Sequence, residues 1–232
     1  MDEANLTRRE ALAQAGKVAL GSALLAGPLG AATLAEPAQA TTGCHESTKE
    51  IISIAAVAEA LAVTFYYNGI TRKVGTLITD EQLDYLRAAL SQEKHHLELL
   101  RGAGAAQPPH TFYFDPAIFM QVKHFTDVLN TLEIAFIGAY AAAIHRFCQL
   151  DRADLAELAS RILGIEAEHR VLGRDIAGAS PPNNLCLEKT PFGCVSDAAK
   201  ALGPFLKGGD GKSAFKQPSD AQVKAKAIPC KE

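Results

Sequence analysis

Apolar positions recur every three to four residues along four long segments, the spacing of one buried face of an α-helix. The first segment runs from about Ser47 to Arg72, with Ile51, Ile54, Ala55, Ala58, Ala62 and Phe65 in one stripe. The second follows Thr79, where Thr79-Asp80-Glu81-Gln82 offers a capping box. It continues to about Arg101 and stops at Gly102-Ala103-Gly104. The third opens at Asp115-Pro116, with proline in a favoured first-turn position, and reaches about Leu150 with a break near Lys123. The fourth takes Asp151 as its N-cap and ends around Ala177-Gly178. Past Pro181-Pro182 the chain is rich in Gly, Pro, Lys and Ser and reads as a loop-rich tail over 179–232.

Short connections predict that helices one and two, and helices three and four, form antiparallel hairpins. The link between the hairpins is longer, from Gly102 through the aromatic run Phe112-Tyr113-Phe114, and its length suits a crossover along the bundle. The expected fold class is all-α: a four-helix bundle over 41–178 with a crossover connection, followed by the tail.

Composition agrees with helices. The hydrophobic fraction is 48% with no Trp, and Ala and Leu supply much of it. A net charge of −3, without a basic stripe, argues against a nucleic-acid partner. The lysines of the tail (Lys212, Lys216, Lys224, Lys226, Lys231) are interrupted by acids and read as a solvated surface.

Residues 1–40 read as a secretory signal. Leu6-Thr7-Arg8-Arg9-Glu10-Ala11-Leu12 resembles a twin-arginine export signal. The uncharged stretch Val18–Ala35 is interrupted by Gly21, Gly27, Pro28 and Gly30, which makes it a poor membrane span. Ala38-Gln39-Ala40 supplies a cleavage pattern, so the mature chain would start near Thr41. An uncleaved anchor or a buried helix is the alternative. Cleavage would leave a periplasmic or extracellular protein with no integral membrane span. Oxidation is then permitted for the cysteines at 44, 148, 186, 194 and 230. Cys148 sits on an apolar helix face and reads as a buried thiol. Cys44, Cys186, Cys194 and Cys230 could form two disulfides tying down the tail, with the pairing open.

The chemistry lies in two Glu-x-x-His motifs, Glu93-Lys94-His95-His96 and Glu166-Ala167-Glu168-His169. Residues at i and i+3 share a helix face and can grip one ion together. Each motif falls on the second helix of a hairpin. On the first helix of each hairpin stands a glutamate in an apolar run, Glu59 and Glu133, followed seven residues later by Tyr66 and Tyr140. One pattern therefore occurs twice, as if a hairpin had been duplicated. Carboxylates among Ala, Leu and Ile are costly to bury unless paired or metal-bound. Four of them in one core call for cations, and two divalent ions bridged by carboxylates would neutralise the charge. Oxygen and imidazole donors without thiolate suit iron or manganese. His95, Glu98 and Glu168 lie off that face, His45, His110, His124 and His145 read as ordinary residues, and the two tyrosines read as core packing.

Over about residues 48–178 the pattern resembles the ferritin-like superfamily of di-iron and di-manganese carboxylate proteins. Within it the chain is similar to exported bacterial ferritin-like proteins, some labelled desiccation-related. The resemblance implies a ferritin-like bundle in which Glu59 and Glu133 are terminal ligands, Glu93 and Glu166 bridge, and His96 and His169 supply the imidazoles. It implies two metal ions, iron or else manganese, reacting with dioxygen or peroxide. The expected activity is oxidation of ferrous iron. A non-catalytic exported stress or envelope protein with a structural or sequestering site, and a di-manganese peroxide-disproportionating enzyme, are the alternatives. The oligomeric state stays open, a homo-oligomer included.

Overall fold

In a computed structural model the described residues are 43–209 and 211–231; the expected signal segment at 1–40 lies outside them. Four long helices form the bundle: α1 (Thr48–Thr71), α2 (Asp80–Gly102), α3 (Val122–Gln149) and α4 (Ala153–Ile176). Capping boxes start α1 and α2. Ser47 accepts from the Glu50 N–H and Thr79 from the Gln82 N–H, while the Glu50 and Gln82 side chains reach back to the cap backbone. Such caps satisfy backbone donors that a helix start leaves unpaired.

α1 pairs with α2 and α3 with α4, as the short connections require. The link between hairpins is a crossover. Near its start the Ala106 N–H donates to Ser53 Oγ, at the beginning of α1. Near its end Phe114 packs on Phe65, toward the other end of α1. Twelve residues of α1 separate those contacts, about 18 Å of rise, so the link climbs the bundle and α3 starts where α1 finishes. Gly69 makes this start fit: a Cβ there would lie 2.5 Å from the Phe125 ring, which stacks on Phe65 at 4.8 Å.

Several boundaries differ from the sequence reading. The break expected near Lys123 falls at extended Gln121, between a 3-10 turn, Pro116–Met120, and α3. Asp151 does not cap α4. It adopts a left-handed turn (φ 54°) behind α3, Arg152 occupies the cap position, and Asp154 pairs with the Arg152 side chain at 2.6 Å. Cys148 is exposed, because the apolar stripe of α3 turns away from solvent through Phe147 instead.

The tail carries more structure than its composition suggests. Helix α5 (Val195–Leu206) lies against α1 and α3 through Val195, Ala198 and Leu202. Its start is fixed three ways. Cys194 forms a disulfide with Cys44, the one disulfide among the described residues, with Cys186 and Cys230 free. Glu46 accepts from the Ser196 N–H at 2.8 Å, and the Arg146 guanidinium donates to the Glu46 carbonyl at 3.0 Å. Burial opposes ionisation of Glu46, but the Ser196 hydrogen bonds prevail and hold its carboxyl below the ordinary range. A carboxylate at a helix N-terminus is favoured by the helix dipole. On the way to α5 the tail presses Pro191 against Gly138 of α3, where a Cβ would sit 2.4 Å from the proline ring.

Strand β1 (Thr111–Phe114) of the crossover pairs antiparallel with β2 (Ser213–Lys216) of the tail, Phe112 opposite Phe215. Phe65, Phe114, Phe119, Phe125 and Phe215 close this end of the bundle as one aromatic cluster. The short helix α6 (Asp220–Lys224) then lies along α2, with Asp220 2.8 Å from Lys94.

α1 and α3 are long and apolar enough to cross a membrane by length and composition alone. Here their apolar faces build the core, and each carries one glutamate into it.

Candidate metal centre

Helical spacing delivers six side chains to the middle of the bundle. Glu59 comes from α1, Glu93 and His96 from α2, Glu133 from α3, Glu166 and His169 from α4. None is more than 5% exposed. They form two overlapping clusters, each able to hold a metal ion: Glu59, Glu93, His96 and Glu166, and Glu93, Glu133, Glu166 and His169. Glu93 and Glu166 belong to both. That sharing follows from the i, i+3 motifs on the neighbouring helices α2 and α4, which turn both motifs toward the same axis.

The imidazoles face inward through Nδ1. His96 Nδ1 lies 3.3 Å from Glu166, 3.5 Å from Glu59 and 3.6 Å from Glu93. His169 Nδ1 lies 3.0 Å from Glu93 and 3.4 Å from Glu166. Proximity does not satisfy these groups. Both Glu93 oxygens, Glu133 Oε2, Glu166 Oε1 and His96 Nδ1 are buried without a hydrogen-bond partner. Buried polar atoms are normally paired, and five orphans gathered in one cluster form a donor set that could hold a cation. The residues fit two metal ions.

Electrostatics give the same answer. Burial, then the charges of Glu93 and Glu166, push the Glu59 carboxyl well above the ordinary carboxylate range. Burial and Glu166 do the same to Glu133. For Glu93 burial acts upward too, but the His169 charge and the two imidazole contacts outweigh it and hold the group low. Burial works against charged imidazoles, yet the surrounding carboxylates raise both His96 and His169. The cluster is short of positive charge and takes up protons in its place.

The tyrosines do more than pack. Tyr66 OH donates to Glu133 at 2.6 Å, and Tyr140 OH donates to Glu59. Because α1 and α3 run antiparallel, a Glu and a Tyr two turns apart on one meet their counterparts in reverse order on the other. The sevenfold spacing was visible in the sequence; the exchange between hairpins needed the helix directions. Burial is the main reason both phenols titrate well above the ordinary range, with the partner carboxylates adding to it.

Sequence reasoning missed Gln92, whose Oε1 lies 3.0 Å from His169 Nε2. It also missed Arg170, which follows His169 in the chain, is buried, and pairs with Glu188 of the tail. Neither carried a motif; only their place next to a Glu or a His pointed to them. His95, Glu98 and Glu168 are exposed, off the ligand face as expected.

Two hairpins that enclose a cluster of four carboxylates and two imidazoles able to hold a metal ion define a class: a helical bundle with a metal-competent core. A family model for the ferritin-like domain matches residues 47–179, more than half of the chain. The chain therefore belongs to the ferritin-like domain family. No curated protein and no solved structure matches it.

Proposed function

We propose that this chain is a dinuclear iron protein that binds two ferrous ions at the six-residue centre and oxidises them with dioxygen or peroxide. The observation that carries the reading is the presence of Glu93 and Glu166 in both clusters, which suits two ions held side by side rather than one. Bound ferrous ions supply one electron each; dioxygen with two protons becomes hydrogen peroxide, or peroxide with two protons becomes two waters. The chain's part is positional. Glu93 and Glu166 would hold both ions and Glu59 and Glu133 one each, while Tyr140 and Tyr66 fix those outer carboxylates by hydrogen bonds. The near-complete burial of the six residues keeps bulk water from the donors, which strengthens their hold on a charge.

Location outside the cytoplasm is part of the proposal. The twin-arginine resemblance suggests it, and the Cys44–Cys194 disulfide suits an oxidising compartment.

The test is anaerobic addition of ferrous iron to metal-free protein, followed by air. The reading expects iron uptake in a two-to-one ratio and an absorbance change on oxidation that outpaces iron in buffer. Uptake without accelerated oxidation would leave a sequestering or structural role. Manganese would use the same donors, so metal analysis of protein from its native compartment comes first. Manganese there, with oxygen evolved from peroxide, would replace oxidation by peroxide disproportionation as the activity.

A further inference from the structure

Gln92 and Ile165 hold corresponding positions in the two hairpins, each one residue before a shared glutamate. Only one of them can hydrogen-bond. The Gln92 amide oxygen lies 3.0 Å from His169 Nε2, where it can accept a proton carried on that nitrogen. The His169 Nδ1 faces Glu93 and Glu166, on the side where an ion would sit. The Tyr66 ring, packed edge-on at 5.5 Å, holds the imidazole from a second side.

His96 has neither support. Among the described residues no side chain hydrogen-bonds its Nε2 and no aromatic ring packs on it. In Gln92's place stands Ile165, which borders the same groove as His96. That groove, about 710 Å³, runs along α2 and α4 and is flanked by Pro229, Cys230 and Lys231 of the tail. Acceptors behind a ligating histidine fix its tautomer and raise its basicity, and their loss typically weakens metal binding about 10–100-fold.

We infer that the two metal positions are unequal: the one built on Glu133 and His169 fills first and holds its ion, and the one built on Glu59 and His96 is the weaker, exchanging position. The inference rests on the dinuclear reading above. Gln92 is then a positioning residue, acting through His169 and not on the metal itself.

The test is anaerobic calorimetric titration of the full chain with ferrous iron, joined to anomalous diffraction from crystals given one equivalent. The expected result is two binding steps at least about tenfold apart, with the first iron beside His169. Gln92→Leu weakens the first step about 10–100-fold and merges the two, whereas Gln92→Glu, which keeps an acceptor, preserves their order. Ile165→Gln offers His96 an acceptor and tightens the second step alone, an arm that stays decisive if Gln92→Leu fails to fold. Two equal steps, iron first beside His96, or Gln92→Leu with an unchanged separation would overturn the inference. Binding of no iron at all would overturn the dinuclear reading itself.

Discussion

The two hairpins, α1–α2 and α3–α4, carry the same residues at the metal-competent cluster and differ in much of what surrounds it. Glu59, Tyr66, Glu93 and His96 of the first match Glu133, Tyr140, Glu166 and His169 of the second, and each hairpin completes the other's hydrogen bonds. Around those residues several corresponding positions differ. Gln92 has Ile165 as its counterpart, Gly69 of α1 corresponds to Ala143 of α3, and the residue after the imidazole is Leu97 in one half and buried Arg170 in the other. The tail grips the halves differently too, through a disulfide at the start of the first and through the Glu188–Arg170 ion pair in the second. Donor identity is thus held in common while support for the donors is not. A site of this kind can place two like ions next to each other and still treat them differently.

The largest expected effect comes from breaking the part the halves share. Glu93→Ala or Glu166→Ala removes a donor from both clusters, and each should abolish binding of both ions. Glu59→Ala or Glu133→Ala removes a donor from one cluster and should leave about one ion per chain. Metal stoichiometry after dialysis reads the difference. Equal losses from all four variants would mean that the clusters do not divide this way.

Next in size is removal of the metal. Two sites each filled at a hundred times their dissociation constant stabilise the fold by about 5 kcal/mol in total, and a chelator should remove that amount. The metal-free protein should also lose stability as pH rises. Glu59, Glu133, His96 and His169 all bind protons more tightly in the folded chain than in the unfolded one. Their contribution is full below the unfolded values, about 4.3 for Glu and 6.5 for His, and drains away as pH climbs toward the folded ones. Glu93 has the opposite sign, with stability lost only as pH falls below the ordinary carboxylate range. Between pH 5 and 8 the raised groups govern, so the melting temperature of metal-free protein should fall. Iron displaces those protons, so its affinity should rise over the same interval with protons released on binding. Melting curves with and without chelator, and calorimetry in buffers of different ionisation enthalpy, check both signs.

Cutting the covalent tie of the first half comes third. The Cys44–Cys194 bridge spans 150 residues of sequence, and Cys44→Ser should cost about 2–5 kcal/mol in urea unfolding under non-reducing conditions. The smallest effect tests the likeness again. Tyr66→Phe and Tyr140→Phe each strand one buried carboxylate oxygen, and each should cost about 1–3 kcal/mol in metal-free protein. Near-equal costs support the reciprocal arrangement; a cost confined to one tyrosine breaks it.

Much of this was legible in the sequence because it obeys helical periodicity. The four helices, the Thr79 capping box and the six metal-competent residues all follow from spacing along single segments. What was not legible depends on contacts between segments. The tail's residues 195–206 form a helix whose start is secured by Glu46, about 150 positions away, and nothing local announces that partner. Phe112-Tyr113-Phe114 became a strand because Ser213–Lys216 came alongside. Asp151 looked like an N-cap, but the tight turn out of α3 needed a residue that tolerates positive φ there, and the helix began two residues later. Gln92 was invisible for the same reason, since its role exists only across the α2–α4 seam.

The central claim is that Glu93 and Glu166 hold two ions between them, and X-ray absorption at the iron edge of iron-loaded protein tests it most directly. The account predicts an iron–iron vector of roughly 3.5–4 Å, with oxygen and nitrogen donors and no sulfur in the first shell. The vector should disappear in Glu93→Ala. Iron in a mononuclear environment, or a first shell containing sulfur, would contradict it.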